Sequence, residues 1–241
     1  MISYAMLSRP GNRERNEDSV LMYERGSSSV FALADGLGGH GKGDVASDSV
    51  TRQAIAAFKK AGDEEGYLEH AFQTAQERLL QQKKELGIMA EMKSTMVLLH
   101  VTKETAQWAH IGDSRLYYFQ NFHIVKRTGD HSVPQMLVYN GEIREEEIRN
   151  HVDRNKVLRV LGVPWERTLY EISEPVSVAE GQAFLLCSDG FWELILEKEM
   201  EKTLKQSKSV AQWLAKMEQI VLKRGAGRDM DNYSAICVYI D

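Results

Sequence analysis

Four times in this 241-residue chain an aspartate stands where a run of strand-forming apolar residues ends or begins. Asp35 closes Phe31-Ala-Leu-Ala-Asp35-Gly36, Asp113 closes Trp108-Ala-His-Ile-Gly112-Asp113-Ser114, and Asp189 closes Phe184-Leu-Leu-Cys-Ser-Asp189-Gly190. Asp231-Asn232 leads into Tyr233-Ser-Ala-Ile-Cys-Val-Tyr-Ile. A carboxylate at the lip of a buried strand is held rigidly by the core while its oxygens face solvent. Several such lips brought together make a cage of hard oxygen ligands, which is what Mg²⁺ or Mn²⁺ requires.

Asp-Gly after a strand is also an ordinary turn signal, with Asp capping the turn and Gly supplying positive φ, and for any one of the four that is the simpler account. Their conjunction with Asn16-Glu17-Asp18 and with the glycine run after Asp35 favours a metal site. Four carboxylates at mutual distances of roughly 6 Å, in an effective dielectric of about 20, would repel by about 3 kcal/mol per pair and roughly 17 kcal/mol over six pairs. A site of that kind exists only to hold divalent ions.

The elements that must position these residues can be read from pattern. Short β-like segments run from Ile2 to Leu7, Ser19 to Tyr23 and Ser29 to Ala34. Two amphipathic helical patterns follow, one placing Ala46, Val50, Ala54, Ala57 and Phe58 on a single face, the next Leu68, Ala71, Phe72, Ala75 and Leu79. Strands return at Thr95 to Val101, Ala106 to Ile111, Leu116 to Phe119 and His123 to Lys126. A polar, helix-prone insertion from Ser132 to about Arg154 precedes strands at Thr168 to Ile172 and Ala183 to Cys187. A helix carrying Val210, Trp213, Leu214, Met217 and Val221 and a strand from Ser234 to Ile240 come last. Strands follow strands and helices follow helices, so the α+β class, with antiparallel sheets covered by helices, fits better than a doubly wound parallel sheet.

The length suits one domain spanning 1–241, and no Pro/Gly/Ser-rich stretch reads as a linker. The net charge of -5 is spread over mixed-sign segments without a basic block, which argues against nucleic acid as a partner. Cys187 and Cys237 sit inside apolar runs and are assigned to the core, and Asp and Asn rather than Cys and His occupy the suspicious positions, so zinc is disfavoured. The N-terminus has no signal-like apolar stretch and no run reaches membrane-spanning length, so a soluble, cytoplasmic protein without membrane contacts is expected.

Taken in order, Gly11-Asn-Arg13-Glu-Arg-Asn16-Glu17-Asp18, Ala34-Asp35-Gly36-Leu-Gly38-Gly39-His40, Gly112-Asp113-Ser114-Arg115, Asp130-His131-Ser132, Ser188-Asp189-Gly190 and Asp231-Asn232 resemble the motifs of metal-dependent type 2C protein phosphatases, most closely the compact bacterial branch. The resemblance spans nearly the whole chain. It implies a four-layer α-β-β-α sandwich of two antiparallel sheets flanked by helix pairs, a binuclear Mn²⁺/Mg²⁺ site, and hydrolysis of phosphoserine and phosphothreonine in proteins. It further implies that Asp35 bridges both ions, that the Gly36 carbonyl and, mainly through water, Asp18 complete their surroundings, and that Asp189 and Asp231 bind one of the ions. Asp113 resembles the residue that helps to hold a weaker third ion.

By the same resemblance Arg13 is the phosphate grip, and its planar fork suits two phosphate oxygens. The glycines at 36, 38 and 39 lack the pattern of a P-loop or dinucleotide fingerprint and are read as allowing close backbone approach to the metals, with a helix starting near Gly43-Asp44. Where animal-type members carry a histidine directly after Asp-Gly this chain has Leu37, which leaves His40 or a metal-bound water as the acid for the leaving alcohol. The segment of about 130–162 resembles a mobile flap beside the active site, with Glu145-Glu146-Glu147 a solvated face; Trp192 is assigned to the core. Phosphorylated protein substrates, a cognate Ser/Thr kinase and a monomeric chain complete the expectation. A phosphoprotein-binding regulator of the same fold and a small-molecule phosphatase are the alternatives.

Overall fold

The computed structural model describes residues 1–38, 42–62, 66–87, 92–167 and 169–241. Three strands, β1 (Ile2–Arg9), β2 (Asp18–Arg25) and β3 (Ser28–Leu37), precede two helices, α1 (Gly43–Ala61) and α2 (Tyr67–Leu86). Short β4 (Lys93–Ser94) leads to β5 (Met96–Val101), β6 (Thr105–Ile111), β7 (Arg115–Gln120) and β8 (His123–Arg127). The insertion carries α3 (Val133–Tyr139) and a 3₁₀ segment at Glu145–Asn150. Then come β9 (Glu171–Ile172), β10 (Val176–Ser177), β11 (Gln182–Cys187), α4 (Asp189–Trp192), α5 (Glu197–Lys205), α6 (Val210–Gly225) and β12 (Tyr233–Ile240).

All the strand pairs of the described residues are antiparallel and fall into two sheets. One runs β1-β12-β11-β7-β8; the other runs β10-β6-β5-β3-β2, with β4 added to β3 and β9 to β6. The period-2 alternation of β3 divides its residues between two cores. Phe31 and Leu33 pack with Val97, Leu99, Phe184 and Ile236 between the sheets, whereas Val30, Ala32 and Ala34 face α1 and α2. In β12, likewise, Ile236 and Val238 turn to the opposite sheet while Ala235 and Cys237 turn to α5 and α6. The result is the expected α-β-β-α sandwich.

Each buried Leu, Phe or Ile contributes about 1.5–3 kcal/mol, and a one-residue slip would expose one set and strand the other. The register of β2 on β3 is therefore fixed, and with it the placement of Asp18 directly opposite Asp35. Cys187 and Cys237 are free and buried, as read from the sequence. One expectation needs correction. The strand sought from Thr168 to Ile172 is only Glu171–Ile172; Thr168 lies outside the described residues, and Tyr170 leaves the sheet to stack on Phe72 of α2 at 4.8 Å. Among the described residues no helix is long and apolar enough to cross a membrane.

Candidate active site

The aspartates meet because strand ends meet. Asp18 begins β2 opposite Asp35 near the end of β3. In the other sheet Cys187 pairs with Ala235, so Asp189 just after β11 and Asp231 just before β12 leave at the same end. The turn Gly112-Asp113-Ser114 carries the chain from β6 in one sheet to β7 in the other, and it holds Asp113 between them. Asp35, Asp113, Asp189 and Asp231, with Glu17, line a cleft of about 190 Å³ whose rim includes the backbone at Gly36 and Gly38 and the flap residues Asn155 and Val157.

Glycine is required where these ends crowd together. A Cβ on Gly36 would lie 2.0 Å from the Gly43 carbonyl oxygen, and one on Gly190 would lie 2.2 Å from that of Asn232. The close approach at Gly36 is thus to the first residue of α1. It pins the helix start, found at Gly43 as the sequence suggested, beside the cleft.

Behind the carboxylates lies a scaffold of hydrogen bonds. The Asp35 N–H donates to Thr95 Oγ1 at 2.9 Å, and Thr95 Oγ1 is 2.8 Å from Ser114 Oγ. Ser188 Oγ donates to Asp18 Oδ2 at 2.8 Å. Trp192, buried as expected, donates its indole N–H to the Asp113 carbonyl at 3.0 Å. Asn232 accepts from the Glu17 N–H at 2.8 Å and donates to the carbonyls of Pro10 and Arg15, both at 2.9 Å, tying the first loop to the start of β12.

The carboxylates themselves are poorly compensated. Among the described residues the buried oxygens Asp18 Oδ1 and Asp113 Oδ1 have no hydrogen-bond donor. Burial, then the neighbouring aspartates, push Asp35 well above the ordinary carboxylate range, and burial followed by Asp189 and Asp130 does the same for Asp113. Burial and Asp231 raise Asp189 to about 6; burial outweighs the Ser188 and Ser234 hydroxyls to raise Asp18 to about 7. A carboxylate cluster of this kind binds protons when no other cation is supplied. Its donor set is oxygen throughout, from carboxylates and the adjacent Gly36 carbonyl, and suits hard divalent ions such as Mg²⁺ and Mn²⁺.

Of the residues singled out from sequence, Asp35, Asp113, Asp189, Asp231 and Gly36 converge in the cleft. Asp18 sits just behind it, buried at 9% exposure. Arg13 is adjacent but turned aside: Nε and Nη2 donate to the two oxygens of Asp231 at 3.1 and 3.2 Å, and Nη1 donates to Asp229 at 3.3 Å. His40 and Gly39 lie outside the described residues. Asn16 shapes its loop, donating to Ser8 Oγ at 2.7 Å and accepting from the Asp18 N–H at 3.2 Å. Sequence reasoning gave no role to Glu17, Asn232 or Thr95. The first two lie inside recognised motifs and could have been found there, whereas Thr95 carries no local signal.

Known proteins resemble this chain along nearly its whole length. A family model described as Protein phosphatase 2C matches residues 8–233. The serine/threonine phosphatase stp of Listeria monocytogenes serotype 4b is 30% identical over 236 residues, covering 95% of this chain and 92% of the relative. The serine/threonine protein phosphatase PstP of Mycobacterium tuberculosis is 30% identical over 239 residues, covering 95% of this chain and 43% of that longer protein. Among solved structures, the serine/threonine phosphatase Stp1 from Staphylococcus aureus superposes with a TM-score of 0.90 at 26% identity, over 100% of this chain and 96% of that one. The catalytic domain of PstP in complex with two manganese ions gives 0.81 at 28% identity, over 100% and 99%.

Proposed function

The chain belongs to the protein phosphatase 2C family and is a metal-dependent serine/threonine protein phosphatase; we propose the following division of labour within its acidic cleft. The observation that carries it is the meeting of carboxylates from both sheets, with buried oxygens that no donor among the described residues satisfies. Asp35, Asp189 and Asp231 would hold divalent ions in this cleft, with the Gly36 carbonyl and, through water, Asp18 completing the oxygen set. Asp113 serves a weaker third. When bound, such ions acidify a water and neutralise the phosphoryl group through an in-line displacement.

The remaining work falls to the chain's own groups. Among the described residues no Ser, Thr, Cys or His lines the cleft. Cys187 and Cys237 are buried, and burial pushes both thiols well up. The cleft carboxylates are the cation-holding groups on this reading and are thereby withdrawn as nucleophiles, so the attacking oxygen is assigned to water. Arg13 grips the substrate phosphate once it leaves Asp231, a pairing that weakens when the charge of Asp231 is taken up by cations. The proton for the leaving alcohol comes from His40 or from a water held in the cleft, the two donors the sequence leaves open. Asn155 and Val157 bring the flap to the rim, where the polypeptide around the phosphoresidue must pass.

Retention of aspartate at each of these positions favours an enzyme over a phosphoprotein-binding regulator. We place it in the cytoplasm as a monomer acting against a cognate Ser/Thr kinase. Turnover of a phosphothreonine peptide should exceed that of nucleotides at equal concentration in Mn²⁺. A preference for nucleotides would make the chain a small-molecule phosphatase, and turnover of neither would make it a regulator.

A further inference from the structure

Gly112 is the pivot on which Asp113 turns between the sheets. Its φ of +100° is open to glycine, and a Cβ there would lie 2.5 Å from the Thr95 side chain. Both of its backbone polar groups are taken by one residue. The Gly112 N–H donates to His131 Nδ1 at 3.2 Å, and the His131 N–H donates to the Gly112 carbonyl at 2.9 Å. Because Nδ1 accepts, the proton of the neutral imidazole is on Nε2, which donates to Glu171 Oε1 at 3.1 Å. Glu171 in turn accepts from Arg159 of the flap at 3.4 Å. The ring is stacked on His110 at 4.7 Å, whose Nε2–H donates to the Gly129 carbonyl at 2.8 Å.

His131, His110 and Glu171 offer donor atoms within 4.8 Å of one another and so have the look of a metal site. The tautomer argues otherwise. With Nδ1 occupied by an N–H donor and Nε2 carrying the proton, His131 has no lone pair left for an ion. Its position in the chain suggests what it does instead. The His131 carbonyl accepts from the Leu158 N–H at 2.7 Å, and Ser132 bridges to Val157, so the flap leaves from and returns to this residue.

We infer that His131, oriented by Glu171, is a positioning residue that fixes Gly112 and thereby aims the Asp113 carboxylate into the cleft, making the aim of Asp113 dependent on the seating of the flap. The inference rests on the reading of Asp113 as the holder of a weak third ion. The chain Arg159–Glu171–His131–Gly112 reaches from the flap to the peptide unit preceding Asp113, and the only covalent link beyond it is the Asp113 backbone. Removing the outer partner of a metal-binding group typically costs about 10- to 100-fold in affinity or activity, so the lower end of that range is expected for a partner acting through one peptide unit.

The test is a double-mutant cycle between His131→Leu and Asp113→Ala, read by Mn²⁺ binding in a calorimeter and by the Mn²⁺ dependence of phosphopeptide turnover. His131→Leu should weaken the loosest Mn²⁺ binding and raise the half-saturating Mn²⁺ concentration by about tenfold, leave the tight binding in place, and add nothing further in the Asp113→Ala background. His131→Asn, whose Oδ1 can accept from Gly112 where Nδ1 did, should recover most of the loss. Glu171→Leu, at a half-exposed side chain, should reproduce a smaller shift if His131→Leu fails to fold. An equal loss from His131→Leu with or without Asp113 would overturn the coupling. Wild-type Mn²⁺ behaviour in Asp113→Ala alone would instead overturn the third-ion reading beneath it.

Discussion

Asp113 and Asp130 are both almost wholly buried, at 3% and 4% exposure, and the chain treats them in opposite ways. Asp130 receives a two-pronged grip from Arg115, Nε at 2.8 Å and Nη2 at 2.6 Å, and a further bond from Arg127 at 3.1 Å. Arg115 is itself covered by the Trp192 ring at 3.4 Å. Asp113 has an oxygen with no donor among the described residues and shares its surroundings with Asp189 and Asp35. Burying an unpaired carboxylate costs several kcal/mol, and a chain that neutralises Asp130 so fully could have done the same at the cleft. On the proposed reading, what Asp113 and Asp18 lack inside the protein they take from outside it. The contrast separates a structural carboxylate from a ligand-binding one by the source of its countercharge.

Asparagine substitutions should split the two classes most strongly. Asp35→Asn and Asp189→Asn are expected to cut turnover at least about a thousandfold, on the order of 4 kcal/mol of transition-state stabilisation. In chelator the same changes should raise resistance to denaturant, because asparagine needs neither to take up a proton nor to repel its neighbours in the folded state. Asp130→Asn should do the reverse, leaving Arg115 buried without its partner and destabilising the fold by about 3–5 kcal/mol. Denaturant titration of the metal-free variants checks both signs, and a loss of stability in Asp35→Asn comparable to that of Asp130→Asn would erase the distinction.

Arg13 joins the two regions, being a cation of the chain that sits on a cleft carboxylate. Arg13→Ala should raise KM by about tenfold with a smaller change in kcat, since the phosphate contact already exists in the ground state. Mn²⁺ should bind as well or slightly better, as no guanidinium then needs to leave Asp231. Steady-state kinetics and calorimetry decide this, and unchanged kinetics would return Arg13 to an ordinary loop arginine.

A smaller effect follows from protons. Asp18 and Asp189, raised to about 7 and about 6, and Asp35 and Asp113, also raised by burial, hold protons more tightly folded than unfolded. That contribution is fully present below the unfolded value of about 3.9 and is lost as pH rises through the folded values. The metal-free protein should therefore melt lower at about pH 8 than at about pH 5, and saturating Mn²⁺ should raise Tm by more at the higher pH. A Tm increment independent of pH would mean that protons and metal do not compete for the same oxygens.

The legible parts of this molecule were those in which apolar period and chemistry coincide. Phe31 to Asp35 announced both a strand and its acidic lip, and the 3.6-residue spacing of Ala46, Val50, Ala54 and Phe58 announced α1. The helix α5 was missed because Met200 and Leu204 are its only buried apolar residues in a stretch of mostly charged ones, too few for a period to register. The strand before Ser173 was overestimated because Leu169 and Tyr170 have strand-forming side chains that serve a helix-covered core instead. Thr95 was illegible in its role, since it accepts from the Asp35 N–H 60 positions away and lies in no recognised motif. The diversion of Arg13 onto Asp231 likewise depends on a contact across 218 positions that no local pattern contains.

Phosphate release from a phosphothreonine peptide, followed with the same preparation in Mn²⁺ and in excess EDTA, tests most directly the claim that the cleft carboxylates exist to hold catalytic cations. Release confined to the Mn²⁺ sample and restored when metal is added back is the predicted result. An undiminished rate in EDTA would contradict it.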